Sequence, residues 1–267
     1  MLSLFAKFKF FNRILPIISA LLIFGFFEMI VFYREHFWWW VIGCGAVVLL
    51  SAILYARINK RKIHRMKYAI LPMLLLIGGL LFFVLLQTEI FYHLFSAILA
   101  LAYIVQFYNM LELHKDPLPE RRKSILQFFD AITFFTAFLL YVGVWQLSMF
   151  FGLTSWATLL IIAILTGLLL YQLFWYHRHF KAKAWLYVIV GSLIISEITW
   201  GLLYWPTGFF VNGLLLLVFF YLFGALSLAR FRDNLNKRYV MQYISVAIIA
   251  LVLILASSQW APPHYGF

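Results

Sequence analysis

Two carboxylates fall where carboxylates are rare. Glu28 and Glu197 each lie inside an apolar run, a little outside its middle, and an ionisable group near the centre of a bilayer costs roughly 2.5–3.5 kcal/mol to insert. One reading is a proton- or cation-binding site. The other is that both stay protonated and hydrogen-bond to neighbouring helices as packing contacts. Trp200 and Tyr204 share the face of Glu197 at i+3 and i+7, and Ser192 and Ser196 let another helix approach closely. Glu89 and His93 stand one turn apart. Such a pair can hold a proton or bind a metal weakly, but two ligands do not make a zinc site. An ion pair is the simpler reading. Asp130 follows Arg121-Arg122-Lys123 and is expected in the first turn of a helix, complementing its dipole. Gln106 and Asn109 approach the same level as Gln127 and Asp130, which predicts an interhelical polar cluster.

Other chemistry is missing from the sequence. It has no HExxH, P-loop, G-x-S-x-G or GxGxxG pattern. His177 and His179 flank Arg178, but residues two apart on a helix point to different faces. Cys44 is the single cysteine, which excludes an intramolecular disulfide and a cysteine metal cluster. No metal site and no cofactor is expected, and no reaction can be named.

The elements that must position these residues follow from composition. The 267 residues are 66% hydrophobic and 11% charged, with a mean hydropathy of +0.97. A soluble domain is about 45–50% apolar and about 25% charged, so lipid is the solvent. The runs show no period-two alternation, which excludes a membrane barrel. The fold class is all-α integral membrane, a polytopic helical bundle. Runs of about 20 residues give nine spans, near 15–33, 38–56, 68–86, 89–111, 126–147, 156–175, 184–203, 209–229 and 239–257. Only Gln87-Thr88-Glu89 separates the third from the fourth. Two spans are read there because 40 helical residues would measure about 60 Å, twice the hydrocarbon. Thr88 is the expected N-cap, with Glu89 at the positive end of the dipole. Pro16 and Pro72 are placed in first turns, where a missing N–H costs little.

Charge gives the sidedness. Arg57–Lys67 packs six Lys/Arg into eleven residues, and the N-terminal segment together with alternate connections holds twenty of the twenty-one Lys/Arg, with Arg34 alone opposite. The positive-inside rule then puts the N-terminus in the cytoplasm and the C-terminal tail outside. The first apolar run reads as an uncleaved span, with residues 1–13 as an interfacial amphipathic segment. With loops this short, the chain reads as one transmembrane domain, residues 1–267, without a soluble domain. The net charge of +12 is explained by these loops, so the expected partners are membrane lipids, with anionic headgroups at the basic loops, and other membrane proteins; nucleic acid is not one. Trp38, Trp39, Trp40, Trp145, Trp156, Trp200, Trp205 and Trp260 fall at the outer boundary. They form either an aromatic belt or the wall of an outer pocket.

The pieces Met66-Lys67-Tyr68-Ala69-Ile70-Leu71-Pro72, Gln87–Glu89, Tyr108-Asn109-Met110-Leu111 and Arg121-Arg122-Lys123 carry a likeness. Through them about half of the chain resembles an uncharacterised family of bacterial multi-pass membrane proteins, a domain of unknown function. The resemblance implies a bacterial inner-membrane location and supplies no activity. Three functions are weighed. The first is a non-enzymatic accessory, scaffold or assembly subunit, and it leads. A small transporter coupled to protons or cations through Glu28 and Glu197 comes second, and an intramembrane enzyme on lipid or isoprenoid substrates third.

Overall fold

In hydrocarbon every backbone N–H and C=O must be bonded within the protein, which leaves helices or closed barrels. This chain takes the helical solution. A computed structural model describes residues 2–58, 67–113, 118–177, 182–232 and 236–258. They hold nine α-helices and no strand: α1 (Leu2–Phe32), α2 (Phe37–Ile58), α3 (Lys67–Phe83), α4 (Glu89–Leu113), α5 (Pro119–Phe151), α6 (Ser155–Tyr176), α7 (Ala182–Leu203), α8 (Phe209–Phe231) and α9 (Lys237–Ser257). A 3-10 turn, Arg34–His36, links α1 to α2. Eight of the nine are long and apolar enough to cross a membrane. The ninth, α3, has 17 residues, the lower limit for a span. Its apolar run continues through Val84, Leu85 and Leu86, whose N–H groups bond to Leu80, Phe82 and Phe83. The expected break between the third and fourth spans is present, and Thr88, just before α4, accepts from Tyr92 N–H.

Several element ends differ from the sequence expectation. Helix α1 is continuous from Leu2, so Pro16 lies well inside it rather than in a first turn. Pro72 is likewise inside α3, in its second turn. Each proline removes a hydrogen bond from its ladder. Beside Pro72, the buried Tyr103 hydroxyl donates to the Pro72 carbonyl, 3.0 Å away, and ties α3 to α4. Helix α5 starts at Pro119, a favoured first position. Asp130 therefore stands three turns inside α5, and Glu120 holds the first-turn place expected of it. Gly152, at φ 63°, ends α5 in the left-handed region that suits glycine. Thr154 then caps α6 by accepting from Ala157 N–H. The stretch 59–66, His179 and Trp260 lie outside the described residues.

The chain divides into two compact units, Met1–Ile132 and Thr133–Phe267. In the first, α1 packs most extensively on α4 and α2, and α2 packs on α3. Ser51 donates to Ser19 between α1 and α2, 2.9 Å apart and buried, while Tyr55 stacks on Phe107. In the second, α6 and α7 form the largest pair, followed by α8 with α9. Tyr141 of α5 shares a buried 2.8 Å hydrogen bond with Thr166 of α6. Gly213 of α8 meets the backbone of Val142: a Cβ there would lie 2.9 Å from both its Cα and its N. Such small residues let spanning helices approach closely where no hydrophobic force drives them together. Helix α9 buries little beyond its contact with α8.

Candidate functional site

A short polar contact in the first unit joins two residues that the sequence placed in separate candidate sites. Glu28, one turn from the end of α1, meets His93, in the second turn of α4, with Oε2 and Nδ1 2.6 Å apart. The helices bring them together because α1 and α4 pack side by side. His93 turns Nδ1 to Glu28, 65 positions away, rather than to Glu89 one turn before it. Glu89 is exposed at the start of α4.

The pair is unevenly sheltered. The Glu28 side chain keeps 16% of its surface and that of His93 46%. Phe32, one turn after Glu28, sets its ring 6.2 Å from the imidazole. Tyr92 fixes the entry to α4 by donating to Leu86 O at 2.6 Å, and Ser96 back-bonds to Tyr92 O. One proton must sit between Nδ1 and Oε2, since two lone pairs facing each other at that distance would repel. The second oxygen, Oε1, is buried and has no hydrogen-bond partner. The site thus has a covered carboxylate oxygen on one side and a half-exposed imidazole on the other. Such an acid–base pair can share a proton. Among the described residues no group of three His, Cys, Asp or Glu side chains could hold a metal.

The other expected residues are arranged differently. Glu197 belongs to the second unit and is exposed, as are Trp200 and Tyr204 on the same face. Trp200 Nε1 donates to Tyr204 Oη at 3.4 Å. Ser192 and Ser196 bond back to the carbonyls of Val188 and Ser192. Ser192 also faces Gly167, where a Cβ would lie 3.1 Å from Oγ, so the expected close approach is to α6. The predicted polar cluster does not form around Gln106. That side chain is wholly buried and neither amide atom has a partner, so no hydrogen bond joins it to Asn109, Gln127 or Asp130. Gln127 is exposed. A polar contact near the α4–α5 connection joins Arg121 Nη2 to Glu112 Oε2, 3.1 Å apart.

Of the tryptophans, Trp38, Trp39, Trp156, Trp200 and Trp205 are exposed, as an interfacial belt requires, whereas Trp145 is 2% exposed and belongs to the core. Two contacts carried no sequence signal. Arg232 Nη2 lies 2.8 Å from His177 Nδ1. A guanidinium can only donate, so Nδ1 accepts and the ring proton is on Nε2. The second is Thr207 Oγ1 donating to Asn212 Oδ1, both side chains buried beneath the turn before α8.

The model of one family, described as a protein of unknown function (DUF5656), matches residues 56–257, roughly three quarters of the chain. No curated protein and no solved structure matches it. The chain belongs to the DUF5656 family.

Proposed function

We propose that this DUF5656 chain is a non-enzymatic component of the bacterial cytoplasmic membrane, an accessory, scaffold or assembly subunit that works by lateral association. The observation that carries this reading is Glu197. It lies on an exposed stripe of α7 running Leu186, Val190, Leu193, Glu197 and Trp200. The steps of four, three, four and three are those of a helix-packing seam. Glu197 stands six residues before Leu203, the last residue of α7, or about 9 Å at 1.5 Å per residue. Helical side chains lean toward the N-terminus, so its carboxyl leans away from the nearer end of the span. Reaching water is thereby opposed, and acyl chains offer the carboxyl no hydrogen bond. A partner helix with a donor at this depth removes that cost.

The test is purification in a mild detergent. The wild-type chain is expected to travel with a fixed protein partner, and Glu197→Leu to lose it while keeping its melting temperature. Recovery of a single chain with lipid alone, or equal retention by the variant, would refute the reading.

A second reading, a small transporter coupled to protons or cations, is favoured by the unpartnered Glu28 Oε1 beside a half-exposed His93. In proteoliposomes with an imposed pH gradient, it predicts proton leak through the wild type, reported by an entrapped pH dye. Glu28→Gln should cut the leak at least tenfold, and equal rates would dismiss this alternative.

A further inference from the structure

The turn between α7 and α8 sits at the end of the second unit that holds no Lys or Arg, with Tyr204, Trp205, Pro206 and Gly208 exposed. Helix α8 starts there. Its N-cap is Gly208, which supplies no side-chain acceptor, although the opening N–H groups of a helix have no acceptor within the helix itself. Asn212, in the first turn, is 1% exposed. Its amide reaches back to the level of the cap, because Oδ1 accepts from Thr207 Oγ1 on the residue before Gly208. Nδ2, the donor on the same planar group, is buried and has no acceptor.

A second donor lies at the same level. Gly213, the neighbour of Asn212, presses on Val142 of α5. One turn further along α5 toward this end is Trp145, 2% exposed, whose Nε1 is also buried without an acceptor. A helix N-terminus, an amide N–H and an indole N–H thus share one end of the α5–α8 contact. Tyr204 to Gly208 include no carboxylate that could answer them. Leaving a buried donor unmet costs about 1–3 kcal/mol, so the closed turn carries a penalty that an incoming oxygen would lift.

We propose that this end of α8 binds a phosphate oxygen, presented at the membrane surface by a phospholipid headgroup or supplied as free phosphate. The helix N-terminus attracts the negative charge, while Asn212 Nδ2 and Trp145 Nε1 donate to the oxygen. The site is independent of Glu197 and of lateral partners.

The experiment uses the full chain in a maltoside detergent and follows the Trp145 indole N–H proton by NMR, assigned by its loss in Trp145→Phe. Titrants are a short-chain phosphatidylglycerol, inorganic phosphate, and digalactosyl diacylglycerol, which has no phosphate. The expected result is a saturable downfield shift with phosphatidylglycerol and none with the galactolipid. An equal shift with inorganic phosphate also supports the site and names the free ion as its source. Asn212→Asp keeps an oxygen for Thr207 but turns the donor into an acceptor, and should weaken binding at least tenfold. If that variant fails to fold, Trp145→Phe, followed by lipid retention in native mass spectrometry, should weaken it several-fold. No saturable shift with either phosphate source overturns the proposal. So does an equal shift with the galactolipid, or unchanged affinity in a folded variant.

Discussion

Gly213→Ala lowers the stability of the second unit by about 1–3 kcal/mol, the range for overpacking a close-packed interior, and Gly213→Val lowers it further. The reason is what the new Cβ would strike. At Gly191 the nearest atoms are the ends of the Phe223 and Leu170 side chains, which can rotate away. At Gly213 they include the Cα and N of Val142, so relief requires α5 and α8 to separate as bodies. Separation also strains the Phe134–Phe220 and Tyr141–Phe220 edge contacts between the same two helices. Thermal melts in detergent should show the order Gly191→Ala above Gly213→Ala above Gly213→Val. A Gly213→Ala melt equal to wild type would mean that the two helices are not locked at this point.

How far the sequence led depends on which force decided each feature. Transfer into hydrocarbon is a local property of a run of residues, so hydropathy placed nine helices. It also found the break before Glu89, where Gln87 and Thr88 cannot extend an apolar run. Helix ends were less legible. Hydropathy stops where polarity starts, but a helix does not, and Glu120 to Ser124 continue α5 below its apolar part. That extension moved Asp130 out of the first turn, where it would have complemented the helix dipole. Burial of individual residues was partly readable. Gln106 is wholly buried, which its level along the span did not reveal, and polarity alone suggested partners that the structure does not give it. Least legible was which helices touch. Glu28 and His93 are separated by the whole of α2 and α3, and nothing local in either segment points to the other. The same holds for Arg232 and His177.

The Glu28–His93 contact yields the other large effect, and it is asymmetric. His93→Ala leaves a carboxylate with 16% of its side-chain surface facing α4 with both oxygens unmet. A buried polar group left unpaired costs about 1–3 kcal/mol and more when charged, so this variant should melt well below wild type. Glu28→Gln costs less, since its amide can still accept from or donate to Nδ1. Glu28→Leu strands only the imidazole, 46% exposed, which water can serve. The double variant Glu28→Leu/His93→Leu removes both polar groups and should recover most of the loss, because replacing both partners by apolar groups is nearly neutral. A double-mutant cycle in detergent melts checks this directly. Strong coupling, with the double variant above His93→Ala, means the pair joins α1 to α4 and the bundle tolerates an apolar substitute. Additive losses would mean that Glu28 and His93 act apart. The sign of recovery bears on function as well. If the apolar double variant is as stable as wild type, packing does not require the acid and base, and the transport reading keeps the observation that favours it. If it stays low, the contact is structural, and the transport reading loses the observation that favoured it.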